Sequence, residues 1–355
     1  EVIEAVHKTK RLPGPMVLDK VAPKPKAEIV DRHKDLIQKN VHFVFDLLGK
    51  ETVQAIKKTK LKIVVDPNGG AAATVIKQIL DGLGIEGVYL NMGLGEFKRK
   101  VEPIEESLAY LVDVIKKEEA DLAAGWDSDA DRCEIVLPEK FLDSYVLSGN
   151  YVLALLVDSV LTDLEDARGK IIVTNDATSN IVRRTAKRFD AEVKEVEVGE
   201  INIVEEMYRL DSPVGGEGSN SGGIFPPQRC RDGMVTLAMI LKLIAKQRQS
   251  LAEILTGYPK YYAKAIKVKC DPEKQIEMRR RLEEHFEKNG FKAQKTGDET
   301  GGLKILMTFD SFIFFRASKT EPGIFRIITD SPEKIGTERL LKIGKGAFEN
   351  VKRLL

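Results

Sequence analysis

Residues 62–83 read KIVVDPNGGAAATVIKQILDGL, and this stretch carries the clearest secondary-structure pattern in the chain. The apolar, β-branched run at its start predicts a buried strand, and the proline and two glycines of residues 66–70 predict a turn. The apolar spacing of residues 71–83 predicts a helix. A strand, a tight turn and a helix in this order are typical of an α/β layer structure with parallel strands.

The pattern continues outward from this stretch and then changes. Further elements of the first unit are predicted at 87–90, 104–118 and 121–124, and a second unit at 170–174, 180–189, 192–198, 201–209 and 234–247. Beyond Tyr258-Pro259 the predicted order is strand 263–268, helix 272–289, strands 302–307, 311–315 and 324–329, and helix 333–355. We therefore predict successive α/β domains with mixed, largely parallel sheets, plus a C-terminal α+β domain.

Four segments follow from these patterns. Residues 1–58 contain a Pro- and Lys-rich stretch and a helical stretch, which we interpret as a linker or the tail of a preceding domain. Domains are predicted at 59–168, 169–259 and 260–355.

Composition excludes several classes of protein. Hydrophobic residues make up 43% of the chain and charged residues 31%, which rules out an intrinsically disordered chain. No apolar run approaches the ~18 residues of a membrane span. The 56 Lys and Arg balance 55 Asp and Glu, so neither nucleic acid nor a membrane is an expected partner. Three widely spaced cysteines and the lack of a signal-peptide pattern predict a cytoplasmic location.

The first polar cluster is a possible metal site. Asp127, Asp129 and Asp131 alternate after a predicted strand, so a curved loop could aim all three carboxylates at one point. Hard oxygen ligands of this kind suit Mg²⁺ or Ca²⁺. Arg132 follows directly, and a guanidinium beside a carboxylate–metal cluster commonly binds a phosphate. The alternative is a solvated acidic turn.

The second cluster is the glycine-rich segment 215–223, which contains Glu217 and Ser219. Its glycines permit close approach of a ligand to the backbone, and Glu217 could accept hydrogen bonds from sugar hydroxyls. The alternative is a flexible surface loop. Arg231-Asp232-Gly233 follows and opens a helix.

The third cluster contains Arg316, Ser318, Lys319 and Thr320, with Arg326 as a further charge in the next strand. Cations, hydroxyls and backbone N–H groups in one turn could bind a dianion. The alternative is a polar hairpin turn. Together, the three clusters predict a site for a phosphorylated polyol with a divalent cation.

These motifs resemble the α-D-phosphohexomutase family, which includes phosphoglucomutases, phosphomannomutases and phosphoglucosamine mutases. The resemblance rests on Asp-x-Asp-x-Asp-Arg, Gly-Glu-x-Ser and Arg-x-Ser-x-Thr-Glu-Pro in that order, and it covers about residues 59–355. It implies reversible phosphoryl transfer on a phosphorylated hexose, through a phosphoserine and a hexose bisphosphate.

The resemblance also implies roles for individual residues. Mg²⁺ would be held by Asp127, Asp129 and Asp131 in the metal-binding domain 59–168, beside the catalytic Arg132. Sugar hydroxyls would contact Glu217 and Ser219 in domain 169–259. The unreactive phosphate would be gripped in domain 260–355 by residues Arg316, Ser318, Lys319 and Thr320, with Arg326 as a further substrate-binding residue.

One departure from the family pattern is large. The family carries its catalytic serine in a Thr-x-Ser-His-Asn-Pro-like loop, whereas the first serine of this sequence is Ser107. We expect the phosphoserine-bearing domain to be missing except for its tail. Three hypotheses follow: a phosphohexomutase, a non-catalytic sugar-phosphate-binding or regulatory protein derived from one, and a metal-dependent phosphatase. The identity of the hexose and the oligomeric state stay open.

Overall fold

The computed structural model of the protein describes residues 27–219, 221–319 and 321–355, with side chains from Lys34 onward. The chain divides between Asn40 and Val41 into two units. Helix α1 (Ala27–Lys57) includes this division and is interrupted at Gly49, whose φ of 73° is not helical. The sheets and the site described below lie in the second unit.

The first sheet contains the strand–turn–helix stretch that begins the α/β pattern. Its elements are β1 (Lys62–Asp66), a 3-10 turn (Ala71–Thr74), α2 (Ile76–Leu83), β2 (Glu86–Tyr89), α3 (Glu105–Leu108), α4 (Leu111–Glu118), β3 (Leu122–Trp126), β4 (Cys133–Phe141) and β5 (Ser144–Val146). The strand order is β2-β1-β3-β4-β5. The first three strands are parallel, and the last two continue the sheet antiparallel.

The second sheet has the same topology. Its elements are α5 (Gly149–Leu161), β6 (Ile171–Asn175), α6 (Asn180–Lys187), β7 (Glu192–Val196), α7 (Glu200–Leu210), β8 (Gly215–Gly216), β9 (Gly223–Ile224), β10 (Arg231–Asp232), α8 (Gly233–Gln247) and α9 (Leu251–Thr256). The order is β7-β6-β8-β9-β10, with β6 parallel to β7 and β8, and the last two strands antiparallel. The loops after β3 and after β8 therefore occupy equivalent places, and they carry the aspartates and Glu217 respectively.

The third sheet is antiparallel throughout. Its elements are β11 (Tyr262–Lys269), a 3-10 turn (Pro272–Lys274), α10 (Gln275–Lys288), β12 (Lys292–Lys295), β13 (Leu303–Met307), β14 (Ser311–Ala317), β15 (Ile324–Ser331) and α11 (Lys334–Lys352). The order is β11-β15-β14-β13-β12. Helices α10 and α11 cover one face through an apolar core that includes Ile305, Phe315 and Phe348. Because side chains alternate along a strand, Lys304, Arg316 and Arg326 lie on the opposite face.

This architecture confirms the predicted fold class: mixed α/β sheets with parallel pairs, followed by an antiparallel sheet with helices on one face. One predicted element differs in detail. The helix expected over 104–118 is two helices, divided at Ala109 and Tyr110, where the Tyr110 hydroxyl donates a hydrogen bond to the buried Asp66. The predicted domain boundaries stay predictions. Within the described ranges, no helix is both long and apolar enough to cross a membrane.

Candidate functional site

The metal loop, residues 127–132 between β3 and β4, brings three carboxylates together. Asp127, Asp129 and Asp131 each offer an oxygen, and these oxygens all lie within 4.8 Å of one another. Asp127 is 5% exposed, whereas Asp129 is exposed at the open side of the loop. A cluster of hard oxygen ligands with one open side fits a divalent cation that retains waters, as Mg²⁺ does.

Electrostatics in this loop also fit a cation. Burial raises the pKa of Asp127 to about 7, and the negative charge of Asp131 adds to the rise. Arg132 partly relieves this repulsion: its Nε lies 3.2 Å from Asp127 Oδ2 and 3.7 Å from Asp131 Oδ1, and its Nη1 lies 3.1 Å from Glu102 Oε1. The structure thus places Arg132 beside the aspartates rather than at a distance from them.

The sugar loop, residues 217–222 between β8 and β9, is anchored at its start in the second sheet. Asn175 Nδ2 donates to Glu217 Oε1 at 2.9 Å, and the backbone N–H of Gly199 donates to the same oxygen at 3.2 Å. Thr178 Oγ1 accepts from the N–H of Gly218 at 3.1 Å. Glu217 is only 7% exposed, so these contacts fix the direction of its carboxylate. Ser219 is exposed at the next turn of the loop.

Arg231 connects the metal loop to the sugar loop, a role that sequence reasoning missed. Its guanidinium hydrogen-bonds Asp131, lies 3.0 Å from Glu200 Oε2 and lies 3.9 Å from Glu217 Oε2. The signal was visible in Arg231-Asp232-Gly233 at the start of α8. What the sequence did not reveal is that β10 places Arg231 against both acidic loops.

The phosphate loop, residues 316–321, joins β14 to β15 and concentrates positive charge. Arg316 on β14 lies directly opposite Arg326 on β15, which in turn lies opposite Lys267 on β11. Like charges directly opposite each other destabilise a sheet, so this row of cations suits an anionic ligand. Burial lowers the pKa of Arg316, and its buried Nε has no hydrogen-bond partner among the residues that the structure describes.

The other residues predicted for this loop differ in their surroundings. Ser318 donates its backbone N–H to Ile324 O at 2.8 Å and accepts from the N–H of Glu321 through Oγ at 3.2 Å. Lys319 Nζ lies 2.5 Å from Glu197 Oε1, beyond the end of β7. Arg326 and Lys267 both pair with the carboxylate of Glu321 at 2.8 Å. Thr320 lies outside the described residues.

The three loops converge at the junction of the three sheets. Arg316 Nη2 lies 3.5 Å from Val198 O, and the negative charges of Asp176, Glu197 and Glu217 act on its guanidinium. Glu217 therefore lies between the Arg231 link to the metal loop and Arg316 of the phosphate loop. A cavity of about 430 Å³ beside the sugar loop is lined by residues of all three sheets, including Glu134, Ser219 and Ile328. Ligand pockets in proteins commonly have volumes of roughly 300–1,000 Å³.

Comparisons with known proteins show the family of the chain. The family models for phosphoglucomutase/phosphomannomutase alpha/beta/alpha domains II and III match residues 42–140 and 148–262. A phosphoglucomutase/phosphomannomutase of Thermococcus kodakarensis is 31% identical over 316 residues, which are 88% of this chain and 65% of that protein. The chain thus spans slightly less than two thirds of the length of this relative.

Solved structures share the fold. A phosphoglucomutase/phosphomannomutase family protein from Burkholderia thailandensis superposes with a TM-score of 0.68 at 21% identity, covering 85% of this chain and 64% of that one. The N-acetylphosphoglucosamine mutase of Aspergillus fumigatus, in complex with GlcNAc-6P and magnesium, has a TM-score of 0.56 at 15% identity, with 84% and 68% coverage. With its two matched family domains, its relatives and its three converging loops, the chain belongs to the α-D-phosphohexomutase family.

Proposed function

We propose that the chain carries the metal, sugar and phosphate sites of a phosphohexomutase that interconverts hexose 1-phosphate and hexose 6-phosphate through a phosphoserine and a hexose bisphosphate. The observation that carries this proposal is the convergence of three chemically distinct loops, linked through Arg231 and facing Arg316. A site of this kind matches a ligand that has phosphate, hydroxyl and metal-bound groups within one small molecule.

Arg316 is the main phosphate contact in this proposal. Its guanidinium is a planar fork that can donate to two phosphate oxygens, and no described residue hydrogen-bonds its buried Nε. Arg326 opposite it adds a second positive charge. Ser318 and Thr320 would add hydroxyl donors, and Lys319 would bind the phosphate in competition with Glu197.

Glu217 and Ser219 would contact the hexose. The hydrogen bonds from Asn175 and Gly199 hold the Glu217 carboxylate in one orientation, so it could accept from adjacent ring hydroxyls without first becoming ordered. These hydroxyls are common to several hexoses. The geometry therefore supports a phosphorylated hexose as the substrate class without selecting glucose, mannose or glucosamine.

Asp127, Asp129 and Asp131 would hold Mg²⁺, which neutralises charge on a transferring phosphoryl group when it is bound. The magnesium and GlcNAc-6P bound to the Aspergillus fumigatus structure support this choice of metal and ligand class. Arg132 would orient the metal loop through Asp127 and offer its guanidinium to the phosphoryl group.

A second candidate is a non-catalytic sugar-phosphate-binding or regulatory protein. It would use the same sugar and phosphate contacts but would need no phosphoserine, and the 355 residues contain no Ser-His-Asn-Pro-like loop. Ser107 does not replace that serine, because its hydroxyl is buried at the start of α3, where its single proton is shared between Glu102 O and Ile104 O, each 2.9 Å away.

Turnover separates the candidates. The chain is incubated with Mg²⁺, glucose 1-phosphate and a trace of glucose 1,6-bisphosphate, and products are followed by ³¹P NMR. Formation of the 6-phosphate supports the mutase. Binding of the sugar phosphate without turnover is the result expected of these 355 residues alone, because they contain no Ser-His-Asn-Pro-like loop. Such a loop encoded upstream then supports the mutase, and its absence upstream supports the non-catalytic protein. Release of inorganic phosphate without added bisphosphate supports the metal-dependent phosphatase instead.

A further inference from the structure

Glu134 connects strand β4 to the sugar loop, and none of the sequence motifs includes it. It is the second residue of β4, three residues after Asp131, and its carboxylate faces Ser221 at the end of the sugar loop. Ser221 donates its N–H to Glu134 Oε1 at 3.3 Å and its hydroxyl to Glu134 Oε2 at 2.5 Å. The N–H of Cys133 donates to Ser221 O at 2.7 Å. Ser221, which is completely buried, is therefore held by three hydrogen bonds from one strand of the first sheet.

The sugar loop is consequently anchored in two different sheets. Glu217 and Gly218 are fixed to Asn175, Gly199 and Thr178 of the second sheet. Ser221 is fixed to Glu134 of the first sheet, beside the metal loop. Ser219 lies on the short segment between these anchors, so its position depends on both of them.

The loop also lies directly against the metal loop. A Cβ atom added at Gly222 would lie 2.5 Å from Asp131 O, which leaves no room for a side chain. A change at the Glu134 anchor could therefore move the sugar loop relative to the metal loop, because the two backbones are in contact.

A carboxylate is chemically suited to this anchor. It offers two acceptor oxygens to the two donors of Ser221, whereas a glutamine would turn an NH₂ group towards one of them. Burial raises the pKa of Glu134 to about 7, and the hydrogen bonds from Ser221 oppose that rise because they favour the charged form.

We infer that Glu134 is a positioning residue for the hexose: it holds Ser221 and so sets the distance of Ser219 from the metal loop. Glu134 and Ser219 both line the cavity beside the sugar loop. Glu134 would thus tune which hexose ring fits, while the grip on phosphate depends on the separate loop around Arg316. This inference rests on the proposed function.

The test compares a sugar phosphate with phosphate alone. Calorimetry on the full chain with Mg²⁺ measures binding of glucose 1-phosphate, mannose 1-phosphate and inorganic phosphate. We expect Glu134→Gln and Ser221→Ala each to weaken glucose 1-phosphate about tenfold, and to change the glucose-to-mannose affinity ratio. Inorganic phosphate should bind within about twofold of wild type, because its contacts are unchanged. The double variant should be no weaker than either single variant, because both lose the same contact.

Controls make the outcomes distinct. Glu139→Gln repeats the substitution at an exposed position of the same strand and should change nothing. An equal loss of sugar-phosphate and inorganic-phosphate binding would show a merely structural role, and unchanged variants would show none. Either result would contradict the positioning role of Glu134 without contradicting the proposed function. If wild type binds glucose 1-phosphate no better than inorganic phosphate, the proposed function fails as well. If Glu134→Gln does not fold, Ser221→Ala decides.

Discussion

Arg316 shows at the scale of one residue how the site differs from ordinary surface. It lies opposite another arginine, it is half-buried, and its Nε has no hydrogen-bond partner within the described part of the chain. Each of these features costs stability in the absence of a ligand. Lys319, Arg326 and Lys267 are instead paired with Glu197 or Glu321. Arg316 is therefore the cation of this loop that a phosphate would satisfy most fully.

Replacing Arg316 should weaken phosphate binding strongly. We expect Arg316→Ala to lower the affinity for a hexose 6-phosphate roughly ten- to a hundredfold, because one charge-assisted contact contributes about 1.5–3 kcal/mol. Arg316→Lys should recover only part of this loss, since an ammonium lacks the planar fork. Calorimetry with the full chain measures both. The control is Arg339→Ala on the exposed side of α11, and equal affinities for all variants would make the phosphate loop a surface turn.

The aspartates make a separate prediction. Asp129→Asn removes one of three clustered charges while conserving size, so Mg²⁺ affinity measured by calorimetry should fall at least about tenfold. Asp113→Asn, at an exposed position of α4, is the matched control and should bind as wild type does. Unchanged binding in Asp129→Asn would mean that the three carboxylates form only a solvated turn.

At the scale of secondary structure, elements with a clear apolar run or helical period were predictable, whereas very short strands were not. Strands β1 and β6 and helices α2 and α6 follow from apolar runs and periodicity. Helix α5 is not predicted, because it is buried on nearly every side and its sequence has no polar face from which to read a helical period. Helix α8 is buried to a similar extent, but Asp232 marks its start as an N-cap. Strands β8, β9 and β10 have two residues each, too few for any pattern.

The candidate site was predictable only as separate loops. The motifs identified Asp127, Glu217 and Arg316, but the pairing of Arg316 with Arg326 depends on a strand register that no local pattern contains. Likewise, Arg231 and Glu134 act through contacts with distant loops. Such contacts are long-range, and one sequence carries no direct signal for them.

The start of helix α8 packs against the metal loop, and a substitution at Gly233 tests this contact. Gly233 donates its N–H to Ala130 O at 3.0 Å, and a Cβ at this position would lie 2.6 Å from Ala130 O and 2.9 Å from Arg132 O. Gly233→Ala should therefore displace the metal loop and weaken Mg²⁺ binding about tenfold in calorimetry.

Gly346→Ala is the control for that substitution. Gly346 lies inside α11, and its added Cβ would meet nothing within 4 Å. It should leave Mg²⁺ affinity unchanged and stabilise the protein by about 0.5–1 kcal/mol, because alanine favours a helix interior over glycine. Unchanged metal binding in Gly233→Ala would show that the metal loop does not depend on α8.

At the scale of the whole molecule, buried polar contacts join the second and third sheets. Asp330 on β15 is fully buried, and its Oδ2 accepts from the N–H of Asn180 at the start of α6 at 2.9 Å. None of the described residues hydrogen-bonds its Oδ1. Burial raises the pKa of Asp330 to about 6. Hydrogen bonds from Ser179 and Asn180 and the positive charge of Lys304 lower this pKa, but by less than burial raises it.

The raised pKa fixes the sign of a pH dependence. Between about pH 4 and 6 the native state binds more protons than the unfolded state, so this contribution is full below about pH 4 and is lost as pH rises through 6. Asp330→Asn keeps an acceptor for Asn180 and removes the charge. Above pH 7 the free energy of unfolding of Asp330→Asn should exceed that of wild type by up to about 3 kcal/mol. This difference should be smaller at pH 5.

Denaturant unfolding at pH 5 and pH 8 measures this difference. Asp113→Asn, which changes an exposed carboxylate, should show little difference from wild type at either pH. An advantage of Asp330→Asn that is the same at both pH values would contradict the assigned protonation of the buried carboxyl.

We expect the metal loop and the phosphate loop, which lie on different sheets, to contact the same bound molecule. Mn²⁺ prefers the same oxygen ligands as Mg²⁺ and is paramagnetic, so it accelerates ³¹P relaxation of a phosphate bound close to it. With the full chain, Mn²⁺ and glucose 6-phosphate, we predict enhanced ³¹P relaxation that both Asp129→Asn and Arg316→Ala abolish. If both wild type and Asp129→Asn bind the sugar phosphate and show equal ³¹P relaxation rates, the two loops do not contact the same molecule. That result would show two separate sites.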